Sequence, residues 1–307
     1  MPAKLELALG PLRPRNPIFS ASGTFGYGQE MEPFVSPAEY GGVIGKSISL
    51  EPRAGNPVPR VIETPSGMLN SIGLQNPGFE AFISDYLPRM RQYGTILVVN
   101  IVGNTIDEYV EMARRLDSED GVDAIELNVS CPNGKGGMQF GIEPEATRLL
   151  IDRVRQEFRR PIIAKLSPNV TDITVIARAA QEGGADVLSL VNTFVGMAVD
   201  WRRRKALLPR FTGGLSGPAI KPLALRLVWQ VAQVSSLPII GIGGICNADD
   251  VLDFLAVGAR AVQIGTVQFV HPRVVRDIVT GLEKAMNEEG MESLEELVGT
   301  ISAVPAQ

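Results

Sequence analysis

The chain has 307 residues, 45% hydrophobic and 21% charged, with a formal net charge of -5. That is enough apolar material for a large core, which excludes a disordered chain, and no long basic tract points to nucleic acid as the main partner. Two cysteines more than a hundred positions apart exclude a disulfide framework, and they are too few for an iron–sulfur cluster or a Cys-rich zinc site built from this chain alone.

The N-terminal segment "MPAKLELALGPLRPRNPIF" lacks the apolar centre of a signal peptide. No stretch reaches membrane-spanning length, so the expectation is a cytoplasmic protein with no membrane association. Eight short β-rich runs then follow. They are "NPIFSASG" (16–23), "GVIGKS" (42–47), "TILVVNI" (95–101), "DAIELNVS" (123–130), "PIIAKLS" (161–167), "DVLSLVN" (186–192), "PIIGIGG" (238–244) and "AVQIGT" (261–266). Near-continuous apolar character suits parallel strands buried on both faces.

Helical patterns separate the later runs. Ile173, Ile176, Ala177 and Ala180 share one face, and Gly183–Gly184 stop that helix. Asn247 is a good N-cap, with Asp249 and Asp250 in the first turn and Gly258 at the end. Val275, Ile278, Val279, Leu282 and Met286 recur at helical spacing near the C-terminus. Strand–helix alternation with eight strands predicts an α/β fold, a (β/α)8 TIM barrel, over residues 1–307 as one domain; a doubly wound open sheet is the alternative. Two segments exceed a minimal barrel connection, residues 48–94 and 193–217. Insertions of that length are expected to cover the C-terminal mouth.

The runs end at Ser20 to Ser22, Lys46, Asn100, Asn128, Lys165, Asn192, Gly243–Gly244 and Gly265–Thr266. In a parallel barrel these ends meet on the face where active sites are built. Glycine pairs after the last two strands suit a phosphate held by backbone N–H groups, and Gly217 before Pro218 offers another such turn. Lys46 and Lys165 are costly inside an apolar cup unless they meet an anion. Glu126 is the strand-interior carboxylate available to pair with one of them. A lysine at the N1/C2 edge of a flavin would stabilise its anionic reduced ring.

Cys131 sits in "NVSCPN", among hydrogen-bonding and turn-forming residues rather than apolar ones. That is the setting of a reactive thiol, and its placement suits a base that takes a proton from carbon. Cys246, at a helix start, reads as structural. The sole histidine, His271, reads as a loop residue, which makes Ser–His–Asp hydrolysis a poor fit. "WRRRK" (201–205) reads as a solvated basic loop, or as a site for an anion or partner protein.

In order, the stretches "SASGTFGYG" (20–28), "EPRAGNPVPR" (51–60), "GMLNSIGLQNPG" (67–78), "NVSCPN" (128–133), "KLSPNV" (165–170), "NTFVGMAVD" (192–200), "GGLSGPAIKPLALRLV" (213–228) and "GIGGI" (241–245) resemble dihydroorotate dehydrogenase of class 1, and within it the type B catalytic subunit. The resemblance covers nearly the whole chain. It implies oxidation of dihydroorotate to orotate in pyrimidine biosynthesis, in a barrel that holds FMN and has no metal. The FMN phosphate would lie at Gly243, Gly244, Gly265 and Thr266. The ring and ribityl chain would meet Ala21, Ser22, Lys46, Ser47, Asn100, Asn128, Lys165, Val191 and Gly217. The pyrimidine would lie between Lys46, Asn70, Ser71, Ile72, Gly73, Leu74, Asn128, Asn192 and Thr193, with Cys131 as base. Asparagines suit it, because an amide both donates and accepts.

The resemblance also implies that electrons leave for NAD+ through a partner subunit carrying FAD and a [2Fe–2S] cluster. The assembly would be a homodimer core within a heterotetramer. After "NVSCPN" the family's valine–lysine pair is replaced by "GKGGMQFG" (134–141). Three other readings use the same residues: a fumarate-reducing type A enzyme, a uracil or thymine reductase similar to the C-terminal domain of dihydropyrimidine dehydrogenase, and a non-catalytic flavin-binding or scaffold protein.

Overall fold

The computed structural model describes residues 4–129 and 140–303. Eight parallel strands close into a barrel: β1 (Ile18–Ser20), β2 (Gly42–Ile44), β3 (Ile96–Ile101), β4 (Ala124–Asn128), β5 (Ile162–Lys165), β6 (Val187–Leu190), β7 (Ile239–Ile242) and β8 (Ala261–Ile264). Each falls inside one of the eight apolar runs. The barrel closes where Ile18, Phe19 and Ser20 pair with Val262, Gln263 and Ile264. The open-sheet alternative is thereby set aside.

One inward residue from every strand builds the lower core: Phe19, Ile44, Val98, Ala124, Ile163, Val187, Ile240 and Ala261. Leu9 and Leu12 plug it from below, joined by reciprocal backbone hydrogen bonds of 3.1 Å. Because strand side chains alternate with period two, the next inward position lies two residues further on. There the sequence places Asn100, Glu126, Lys165, Ser189 and Gln263, all buried. An apolar floor therefore carries a polar layer, and the cavity opens above it.

The helices pack outside, between the strands. Ile173–Glu182 starts at Asp172, whose carboxylate accepts from Thr174 N at 2.9 Å, and its predicted apolar face is buried. Ala248–Ala256 starts at Asn247 in a reciprocal capping box with Asp250. Val274–Glu289 buries Val275, Ile278, Leu282 and Met286. Two connections depart from simple alternation. Between β1 and β2 the described residues form only a 3-10 turn, Pro37–Glu39. Between β2 and β3 the helix is composite, with a π-helical turn, Phe82–Tyr86, set between Phe79–Ala81 and Leu87–Met90.

The two long insertions share one structure. Val61–Thr64 and Gly67–Asn70 form a hairpin from the first, while Phe194–Met197 and Thr212–Ser216 come from the second. Gly214, Leu215 and Ser216 pair with Asn70, Leu69 and Met68, which makes one four-stranded antiparallel sheet over the mouth. A smaller hairpin of Val199–Asp200 and Lys205–Ala206 carries the basic stretch at its tip, where the Arg202 guanidinium lies 4.4 Å from the centre of the exposed Trp201 ring.

Candidate active site

The strand ends open onto a cavity of about 470 Å³. Its lining takes Ala21 and Ser22 from the end of β1, Lys46 and Ser47 from β2, Asn128 from β4 and Lys165 from β5. Val191, Asn192 and Thr193 follow β6, Gly243 and Gly244 follow β7, and Gly265 and Thr266 follow β8. The covering sheet and its flanks add Asn70, Ser71, Ile72, Gly73, Leu74 and Gly217. Every candidate binding residue from the sequence thus meets here except Asn100. That residue is fully buried in the polar layer, where its amide donates to Glu126 at 2.5 Å and its Oδ1 has no partner among the described residues. Cys131, the candidate base, lies outside the described residues.

The two lysines differ. Lys165 Nζ lies 3.5 Å from the Glu126 carboxylate and donates to Gln263 Oε1 at 3.2 Å and to Ser22 Oγ at 3.4 Å. The ion-paired reading therefore holds for Lys165, although its side chain still lines the cavity. Lys46 also lines it, and no carboxylate or hydrogen-bond acceptor reaches its ammonium among the described residues. Burial, and then the charge of Lys165, pushes the Lys46 ammonium below the usual lysine range. An anion bound here would reverse that shift.

The asparagines are held in place by neighbours. Asn192 Nδ2 donates to Asn128 Oδ1 at 3.2 Å, and Asn192 Oδ1 accepts from Thr193 N at 2.9 Å. Asn70 donates to the Gly214 carbonyl at 3.2 Å, which links two neighbouring strands of the covering sheet. Asn169, which the sequence reading missed, donates to the Thr193 carbonyl at 3.0 Å and accepts from Val195 N at 2.9 Å. Gln263 was missed as well; a glutamine inside the doubly buried run "AVQIG" was the available signal.

The glycine turn after β7 is shaped by close backbone approach. Gly244 has φ +76°, and a Cβ there would lie 2.8 Å from Lys221 Cβ, 2.9 Å from Lys221 N and 3.0 Å from the Gly217 carbonyl. Asp250 braces the turn from behind. Its carboxylate accepts from Cys246 N at 2.7 Å and Asn247 N at 3.2 Å, and pairs with Lys221. Cys246 lines the cavity, more than a structural reading foresaw, but burial and then Asp250 push its thiol up, which disfavours the reactive thiolate.

Comparison with known proteins agrees with this geometry. The family model described as dihydroorotate dehydrogenase matches residues 5–286. A relative from Geobacter sp. (strain M21), named "Dihydroorotate dehydrogenase B (NAD(+)), catalytic subunit", is 49% identical over 298 residues, covering 97% of this chain and 98% of the relative. Relatives of the same name from Desulforamulus reducens and Thermodesulfovibrio yellowstonii are 50% and 48% identical, over 97% and 96% of this chain and 99% and 98% of their own lengths. With the family model spanning most of the barrel and relatives matching nearly end to end, this chain belongs to the dihydroorotate dehydrogenase family.

Proposed function

We propose that the chain oxidises dihydroorotate to orotate, the redox step of pyrimidine biosynthesis, as the catalytic subunit of an NAD+-linked enzyme with FMN in the barrel mouth. The observation that carries this reading is the single cavity in which a lysine with no partner among the described residues, a tethered lysine, four asparagines and a close-packed glycine turn converge. A phosphorylated, partly anionic, amide-rich ligand matches that donor set. The fit rests on two features. Gly244 leaves no room for a Cβ, which keeps the backbone N–H groups of the turn accessible, and Lys46 has no counter-ion among the described residues.

In this reading Gly243, Gly244, Gly265 and Thr266 hold the phosphate. Ala21, Ser22, Lys46, Ser47, Asn128, Lys165, Val191 and Gly217 border the ring and ribityl chain, with Asn100 behind them. When bound, FMN supplies the two-electron acceptor. Asn70 to Leu74, Asn128, Asn192 and Thr193 orient the pyrimidine, and the covering sheet excludes water from it. Cys131 takes the proton from the substrate's C5 carbon. Electrons leave for NAD+ through a partner subunit with FAD and a [2Fe–2S] cluster, in a cytoplasmic heterotetramer built on a homodimer of this chain. Among the described residues, no helix is long and apolar enough to cross a membrane.

The test is anaerobic. The purified chain is expected to carry a flavin spectrum that dihydroorotate bleaches and NAD+ alone does not restore. Cys131→Ala is expected to keep the flavin but lose nearly all bleaching. A spectrum unmoved by dihydroorotate would overturn the substrate, and normal bleaching in Cys131→Ala would overturn the base.

A further inference from the structure

Glu126 is a buried carboxylate that the reaction outlined above does not use. It is fully buried on β4 and lies behind the cavity wall rather than on it. Oε1 accepts from Ser189 Oγ at 2.8 Å and from Gln263 Nε2 at 2.6 Å. Oε2 accepts from Asn100 Nδ2 at 2.5 Å and faces Lys165 Nζ at 3.5 Å. One side chain thus joins partners from four other strands, β3, β5, β6 and β8. A carboxylate with no access to water is strongly disfavoured unless its charge is matched and its lone pairs are filled, and here both conditions are met.

The consequence reaches the ligand through charge. Two ammonium groups, Lys46 and Lys165, line the cavity, and no carboxylate lines it among the described residues. Among the described residues, Glu126 is the acidic group in contact with either of them. We propose that Glu126 is a positioning residue for this site: it fixes the Lys165 ammonium at the cavity floor and cancels its charge, so that a bound flavin meets one net positive charge rather than two. The inference rests on reading the cavity as the flavin site.

The test separates the ion pair from its effect on the cofactor. In the chain without flavin, thermal melts of Glu126→Gln, Lys165→Met and the double variant form a cycle. Each single variant strands one buried charge, so the double variant is expected to melt above both singles; additive losses would mark Glu126 as a mere hydrogen-bond hub and overturn the proposal. In the flavin-loaded protein the probe is sulfite, which adds to the ring and leaves it anionic. Glu126→Gln is expected to tighten sulfite binding by at least about tenfold, the effect of one unit charge at roughly 10 Å and an effective dielectric of about 20. Unchanged or weaker binding in that variant would overturn the proposal. If Glu126→Gln does not fold, the same question is read from the other side. Lys165→Met should weaken sulfite binding by a similar factor, and adding Glu126→Gln should return it to within about threefold of the original chain; failure to return overturns the proposal. A chain that takes up no flavin would instead refute the cofactor reading, and the melting cycle would still decide the ion pair.

Discussion

Replacing Gly244 by alanine tests the phosphate turn most directly, because the obstruction can be counted atom by atom. The new methyl group would sit 2.8 Å from Lys221 Cβ, 2.9 Å from Lys221 N and 3.0 Å from the Gly217 carbonyl. None of these is the free end of a flexible side chain. Lys221 begins the helix Lys221–Ala232, and its ammonium is tied to Asp250 and, at 2.7 Å, to Asp253. Holding alanine at φ +76° costs about 1–2 kcal/mol, and the crowding adds about 1–3 kcal/mol. Gly290→Ala supplies the control, with φ +69° and nothing within 4 Å, so it carries the backbone term alone. At about 2–4 °C per kcal/mol for a large domain, Gly244→Ala should melt several degrees below Gly290→Ala. In an FMN titration, a lost or misaligned N–H to the phosphate is worth about 1.5–3 kcal/mol, roughly ten- to a hundredfold in affinity. Gly290→Ala should bind FMN normally. Equal melting of the two variants would refute the crowding argument, and undiminished FMN binding by Gly244→Ala would refute the phosphate site.

Other outcomes follow from the same site. Because the folded chain releases the Lys46 proton below the unfolded value of 10.5, the unfolded state binds more protons in that window. Stability should therefore rise as pH climbs toward 10.5, and Lys46→Met should flatten that rise in denaturant titrations while weakening FMN and orotate binding. Asp250→Asn should cost about 1–2 kcal/mol by loosening the Cys246 and Asn247 amides, and the melting loss should be accompanied by weaker FMN binding. A maleimide at neutral pH should label Cys131 well before Cys246, whose thiol is pushed up by burial and Asp250; mass spectrometry showing the reverse order would count against both assignments.

The barrel was legible because its strands are buried on both faces, so that runs such as "TILVVNI" stand out without any knowledge of their partners. The polar ends were legible for the same reason, since Lys46, Asn128 and Lys165 interrupt apolar runs at the same point in the repeat. Which lysine is paired was not. Pairing depends on the inward register of Glu126 against Lys165 across β4 and β5, where Asn128 stands opposite Lys165 and Glu126 opposite Ile163. The covering sheet was also hidden. Its strands are four or five residues long, three of the four carry glycine, and Asn70 finds its partner Gly214 far along the chain, so local pattern reads both insertions as loops. The missing helix after β1 has a local cause: residues 21–36 hold three glycines and Pro33, which disfavour a continuous helical repeat, and a 3-10 turn forms at Pro37–Glu39 instead.

The shared sheet sets an order of events during synthesis. The hairpin 61–70 leaves the ribosome long before its partner strand, Thr212–Ser216, exists. Through that interval the edge of Gly67–Asn70 that later binds Gly214–Ser216 has no permanent mate, an open edge of the kind that invites transient pairing. Barrel closure comes later still, since β8 is needed to seal β1. The mouth is thus walled on one side before the ring beneath it is complete, and a nascent chain offers the cofactor an open doorway until its last strand arrives.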